Sequence, residues 1–322
     1  MSEILALKAA IQKASTVFLF WHINPDVDCV GSCAALKNIL ERQGKIVTIF
    51  SECILPEHLK FFNVDYEIFD STKEYANSDI NICVDCGNLL RAGTVGKLFS
   101  KNSVTANIDH HDTNPKFADI NIVDSKAVAT AEIIFKIVNK WGFTVSKEAA
   151  SNLYAAIMSD SRSFRASGVT AKTFEICAKL MKFGIDIFSV AGYLFASVDE
   201  ANMRVKAQAI SEMKLYNDKK IVVAVISNDM LKQYGLSNDA DHSGFAMELA
   251  GIKGVQVAVL LSQHNEKIRG ELRSLRDFDV SKIAIALGGG GHKSASGFTM
   301  NGTIENVKDA VVKVAEKELL KI

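Results

Sequence analysis

The chain has 322 residues, 48% hydrophobic and 23% charged, which excludes a disordered chain and leaves room for two domains with substantial cores. Lys plus Arg equals Asp plus Glu at 37 each, a formal net charge of zero, which argues against a protein that coats long nucleic acid. No apolar run reaches the roughly 18 residues of a membrane span.

The opening MSEILALKAAIQKAS has an amphipathic helical rhythm and no cleavage-site pattern, so it is not expected to be a signal peptide. STVFLFWH, residues 15–22, is a continuous apolar run, as expected of a buried parallel strand. CVGSCAALKNILERQG follows with helical periodicity and stops at Gly44, a natural helix end. KIVTIF, INICVD (ending at Asp85) and SVTANID read as three further strands, and AVATAEIIFKIVNKWG and SKEAASNLYAAIMSD as helices. Residues 1–197 are therefore expected to form an α/β domain with a mostly parallel sheet flanked by helices.

Residues 198–220 turn polar and helical and read as a connector. IVVAVIS, VQVAVLL and KIRGELRS are strand-like, so residues 221–322 are expected to form a smaller mixed α/β domain, with a cleft between the two domains. The six cysteines lie in apolar stretches rather than at disulfide-scaffold spacings, which points to a reducing cytoplasm. Cys83 and Cys86 could suggest zinc, but residues three apart on a strand face opposite ways and no second pair follows. Core packing is the better reading.

Ligands of open parallel sheets bind at the carboxyl ends of the strands, and acidic residues collect there. His22, Asp26 and Asp28 follow the first strand, Asp85 ends the third, Asp109, His110 and His111 end the fourth, and Asp160 ends a helix. One Asp after a strand is more often a helix N-cap, and one His pair is usually filler. Several carboxylates gathered at one edge, however, would repel one another without cations. Two divalent metals would neutralise four carboxylates, and mixed imidazole and carboxylate donors suit Mn²⁺, with Mg²⁺, Co²⁺ or Fe²⁺ as alternatives. Gly288 to Gly291 either let backbone amides approach a phosphate or make a tight helix-to-strand turn.

HINPDVDCVGS, VDCGN, IDHHDTN and SDSRSF resemble the four ordered motifs of the DHH phosphoesterase family, and GGGGHKSASGF resembles the signature of its DHH-associated C-terminal domain. The resemblance covers nearly the whole chain, in the branch of nanoRNases (oligoribonucleases) that also dephosphorylate pAp. It implies His22 and Asp26 on one metal, Asp28, His110 and Asp160 on the other, and Asp85 bridging. His111 would face the substrate phosphate, with Asp109 orienting the imidazoles. Many members have a small residue where this chain has Val27. Gly289, Gly290, Gly291 and His292 would hold the nucleotide, with Arg273 and Ser274 on the same phosphates. Arg269, Arg276 and Lys293 would extend that rim or form a solvated face. Arg162 and Arg165 would touch substrate or pair with nearby acids.

The implied activity is hydrolysis of short RNA oligonucleotides to mononucleotides, of pAp to AMP, or both, through water activated by two metals. Short RNA or pAp are the expected partners; a homodimer is compatible with the sequence, and a membrane is not expected. Alternatives with the same chemistry are a linear or cyclic dinucleotide phosphodiesterase and a RecJ-like single-strand exonuclease; the latter would need more basic charge. A family II pyrophosphatase shares the N-terminal motifs but is disfavoured by the glycine run. A nucleotide-binding regulatory module would not need so complete a ligand set.

Overall fold

A computed structural model describes residues 2–99, 103–196, 199–237, 242, 244–264, 267–275 and 278–321. Arg276, expected on the basic rim, lies outside them. The chain divides into two units, Met1–Ser197 and Val198–Ile322.

In the first unit, α1 (Glu3–Lys13) leads into β1 (Thr16–Phe20), α2 (Val27–Glu41), β2 (Ile46–Ser51) and the short β3 (Glu67–Ile68). Then come β4 (Ile80–Val84), β5 (Val104–Asp109), β6 (Ile120–Val123), α3 (Thr130–Trp141), α4 (Lys147–Asp160), α5 (Ala171–Met181) and α6 (Ile187–Phe195). The six strands form one parallel sheet in the order β3-β2-β1-β4-β5-β6. β3 and β6 were not expected. β3 has only two residues, both exposed, and β6 has four that are only half buried, so neither leaves a clear apolar run.

Alternation along β1 sorts its side chains to opposite faces. Val17 and Leu19 join the main core with α2, α3 and α4, whereas Phe20 joins an aromatic layer with Phe50 and Phe99. All five residues of β4 are buried, as a central parallel strand requires. Cys83 and Cys86 both enter the aromatic layer, not opposite faces, because β4 stops at Val84 and the chain then turns. α2 and α4 come close enough that a Cβ on Gly31 would lie 2.9 Å from the Asn152 carbonyl and from the Phe62 ring.

The second unit contains α7 (Glu200–Glu212), β7 (Lys214–Tyr216), β8 (Ile221–Ile226), α8 (Asn228–Gln233), α9 (Phe245–Ala250) and β9 (Val257–His264). It continues through β10 (Lys267–Arg273), α10 (Ser281–Ala286), β11 (Gly290–His292), β12 (Ala295–Asn301) and α11 (Ile304–Leu319). Its mixed sheet runs β11-β12-β10-β9-β8-β7, with only β8 and β9 parallel. Ile221 and Val223 face a core shared with α11, while Val222 and Ala224 face one shared with α7 and α9.

The stretch 198–220, expected as a connector, is built into this second unit. Val205 and Ala209 of α7 are fully buried against the sheet, and Lys214–Tyr216 pairs with β8 as an edge strand. Its polarity misleads because an edge helix and an edge strand each bury only a narrow stripe. Among the described residues no helix is long and apolar enough to cross a membrane.

Candidate metal centre

The strand order reverses direction between β1 and β4, the switch point at which open parallel sheets bind ligands. β1, β4 and β5 are neighbours there, so the segments that leave their carboxyl ends converge. His22, two residues past β1, is 2% exposed, and neither of its ring nitrogens has a hydrogen bond. Its Nε2 lies 3.5 Å from Asp26 Oδ2 and 3.8 Å from Asp85 Oδ2.

Asp26 combines the two readings that the sequence left competing. Its Oδ1 caps α2 by accepting from the Cys29 amide at 3.0 Å, while Oδ2 faces His22. Burial disfavours its charge, but the contacts with His22 and Cys29 outweigh that and hold its pKa down to about 2. Val27 begins α2 and packs half-buried against the core, so a branched residue fits between the two aspartates.

Asp85 follows β4 with φ at 60°, a left-handed conformation that costs a non-glycine residue roughly 1–2 kcal/mol. The turn aims its two oxygens apart. Oδ2 faces His22, and Oδ1 lies 3.5 Å from His110 Nε2 and 3.8 Å from His111 Nδ1. His110 Nε2 is also 3.4 Å from Asp160 Oδ2, at the last residue of α4. Because His110 Nδ1 contacts the Ala127 carbonyl at 3.3 Å, Nε2 is the nitrogen that presents a lone pair to the cluster.

Asp28, fully buried in the first turn of α2, completes a set with His110 and Asp160 whose donor atoms lie within 4.8 Å of one another. Burial drives the pKa of Asp28, Asp85 and Asp160 upward, and like charge adds to it, from Asp26 on all three and from Asp28 on Asp85 and Asp160; His110 partly opposes the shift at Asp28. Buried carboxylates pressed together, with imidazole lone pairs pointing among them, make a donor set that fits divalent cations.

His111 is held by a 2.7 Å contact from Nδ1 to Asp109 Oδ1. Asn114 donates to Asp109 Oδ2 at 2.6 Å, and these two bonds outweigh burial to keep the Asp109 pKa low. Four residues escaped the sequence reading: Asn114, Ser32, Thr130 and Cys29. Cys29, Ser32 and Asn114 lay inside quoted motifs without being singled out, and Thr130 lay in a segment read only as a helix. Cys29 falls within ligand distance of His22 and Asp26, yet burial pushes its thiol well above the ordinary range, so it stays protonated and serves the α2 cap.

Arg162, Ser163 and Phe164 form three consecutive left-handed residues just beyond Ser161, the C-cap of α4. Ser161, fully buried, braces the turn by accepting from the Phe164 amide at 3.0 Å. Arg165 donates to the Arg162 carbonyl at 2.9 Å, and Arg162 is near enough to Asp160 to favour its charge.

In the second unit, register sets Arg273 opposite Ala295, and Ala295 opposite His292. Arg273 and His292 therefore share one cross-strand row, two strands or roughly 10 Å apart. His292 is exposed and Ser274 is buried. Two of the glycines have a structural reason of their own. A Cβ on Gly289 would lie 2.1 Å from the Gly297 carbonyl, and one on Gly291 would lie 2.6 Å from Ser296 Cα. Gly290 faces open space. Arg269 and Arg273 both lie 3.8 Å from Glu271.

Fold and site together define a two-unit α/β protein with an imidazole–carboxylate centre at the switch point of a parallel sheet. The chain belongs to the DHH family: its N-terminal domain model matches residues 16–157, and the DHHA1 domain model matches residues 218–321. It is 25% identical to the bifunctional oligoribonuclease and PAP phosphatase NrnA of Thermus thermophilus, over 98% of this chain and 95% of that protein. It is 30% identical to an uncharacterized protein of Mycoplasma genitalium, over 88% of this chain and 86% of that one. Among solved structures, an exopolyphosphatase-related protein from Bacteroides fragilis superposes with a TM-score of 0.91 at 26% identity, covering 99% and 96% of the two chains.

Proposed function

We propose that this protein is a dinuclear-metal phosphohydrolase that cuts short RNA oligonucleotides to mononucleotides, removes phosphate from pAp, or does both, in the cytoplasm. The observation that carries the reading is the pairing of a buried, unbonded His22 with Asp85, whose second oxygen faces His110. The relative from Thermus thermophilus, similar over nearly its full length, carries the oligoribonuclease and phosphatase name.

In this reading His22 and Asp26 hold one cation, Asp28, His110 and Asp160 hold the other, and Asp85 joins them. Mn²⁺ suits that donor set best. Two such cations supply activated water and neutralise phosphoryl charge. The chain's own groups do the rest. Asp109 fixes the His111 ring through Nδ1, so that Nε2 is the nitrogen presented to a phosphoryl oxygen. Gly290 and His292, with Arg273 and Ser274, bind the nucleotide.

The testing experiment offers purified protein with Mn²⁺ or Mg²⁺ a panel of RNA oligomers of graded length, pAp, cyclic dinucleotides and pyrophosphate. With zero net charge, phosphate tracking along a strand is weak. The kcat/KM is therefore expected to peak at roughly two to five nucleotides. A steady rise to 20-mers with steep salt dependence would instead identify a processive exonuclease.

The division of labour has its own test. His292→Ala is expected to raise KM about tenfold or more while two metals still bind per chain. Metal loss in that variant would make His292 a ligand and overturn the assignment.

A further inference from the structure

Thr130 is fully buried at the first position of α3, and it touches two carboxylates that arrive on different elements. Its hydroxyl donates to Asp85 Oδ1 at 2.8 Å, and its backbone amide donates to Asp28 Oδ2 at 2.6 Å. The Ala131 amide and the Ser32 hydroxyl each donate to Asp28 Oδ1 at 3.1 Å. α3 has Ala129 at its N-cap, so it lacks a side-chain cap of its own. Asp28, more than 100 positions away in the sequence, takes the amides that would otherwise lack partners.

This arrangement has a chemical consequence. A carboxylate oxygen accepts about two hydrogen bonds. Asp28 Oδ1 has two such donors, from Ser32 and Ala131, whereas Oδ2 has one. The oxygen that can still accept a cation is therefore Oδ2. Asp85 Oδ1 accepts one such bond, from the Thr130 hydroxyl, and its remaining acceptor capacity is on the side that His110 Nε2 approaches. Because Thr is β-branched, few χ1 rotamers are open to it within a helix, and one residue contacts both carboxylates at once.

We propose that Thr130 is a positioning residue for the metal centre: its hydroxyl and amide lock Asp85 of the β4 turn and Asp28 of α2 into the one mutual orientation that lets each offer an oxygen to a cation. The proposal rests on the dinuclear reading above. It assigns to Thr130 no contact with substrate.

The test measures Mn²⁺ binding to the full-length protein by titration calorimetry, together with kcat and KM on a short RNA oligomer. Thr130→Val keeps the shape and the amide but removes the hydroxyl, whereas Thr130→Ser keeps the hydroxyl and removes only the methyl. Thr130→Val is expected to weaken at least one Mn²⁺ site by roughly 10–100-fold, the range for losing a partner that orients a ligand. At saturating Mn²⁺ its kcat falls while KM stays near the unaltered value. Thr130→Ser is expected to restore Mn²⁺ affinity to within about threefold.

Equal Mn²⁺ affinity in Thr130→Val and the unaltered protein would overturn the proposal. So would a Ser variant as weak as Val, which would place the effect in methyl packing. Should Thr130→Val fail to give a folded circular-dichroism spectrum, Thr130→Ala replaces it under the same two criteria. If the unaltered protein binds no Mn²⁺, the metal reading itself falls, an outcome distinct from a Thr130 effect that is merely missing.

Discussion

Asp85→Asn is expected to lower kcat/KM by more than about 10³-fold, well beyond the roughly 10–100-fold of losing an outer partner. It is also expected to raise the melting temperature of the metal-free protein at neutral pH. Both effects have one origin. Asp85 is 2% exposed and pressed against Asp28, Asp26 and Asp160, so burial and like charge oppose its ionisation. Neutralising it relieves that repulsion but removes the carboxylate whose two oxygens face His22 and His110.

Asparagine is the informative choice. It can still accept the Thr130 hydroxyl, and it tolerates the left-handed backbone at this position, which alanine does not. Thermal melts and metal analysis read the two effects separately. Near-normal turnover at saturating Mn²⁺ would sink the dinuclear assignment, and a large drop in the metal-free melting temperature would sink the electrostatic account.

Metal binding is expected to stabilise the protein far more at pH 8 than at pH 5.5. The folded pKa values of Asp28, Asp85 and Asp160 lie above the ordinary 3.8. Stability linked to those groups is present below about pH 3.8 and lost as pH rises through their raised folded values. Asp26 and Asp109 act oppositely: their contribution is present above 3.8 and is lost as pH falls through their lowered values, about 2 for Asp26.

As pH rises, the metal-free cluster thus bears more of its repulsion, and cations replace the protons it would otherwise retain. Mn²⁺ at about 1,000 times its Kd contributes about 4 kcal/mol, a melting shift on the order of 10 °C. Calorimetric scans with Mn²⁺ and with chelator, at both pH values, measure it. An equal shift at pH 5.5 and pH 8 would contradict the linkage.

Much of this protein is written locally. The apolar runs before His22, Asp85 and Asp109 are strands β1, β4 and β5, and their burial is what an unbroken apolar stretch in a parallel sheet demands. Helices α2, α3 and α4 announce themselves by periodicity, and the acidic and imidazole residues stand at element ends where the chain leaves the core. β3 and β7 were not legible, because two- and three-residue edge strands bury too little to leave a pattern. The polar stretch carrying α7 hid its role for the same reason.

What only the tertiary structure decided is which atoms face one another. The sheet order places β1 beside β4, and that adjacency brings His22 Nε2 within 3.8 Å of an aspartate 63 positions further along the chain. Asp28 caps a helix that begins at Thr130, and no local pattern signals a cap supplied from another element. The glycine run divides in the same way: packing against β12 requires Gly289 and Gly291, while Gly290 is left in open space. Sequence periodicity reports how much of each segment is buried, because burial is a property of a residue and its near neighbours. Donor geometry depends on strand order and helix docking, which arise from contacts between segments far apart in the chain.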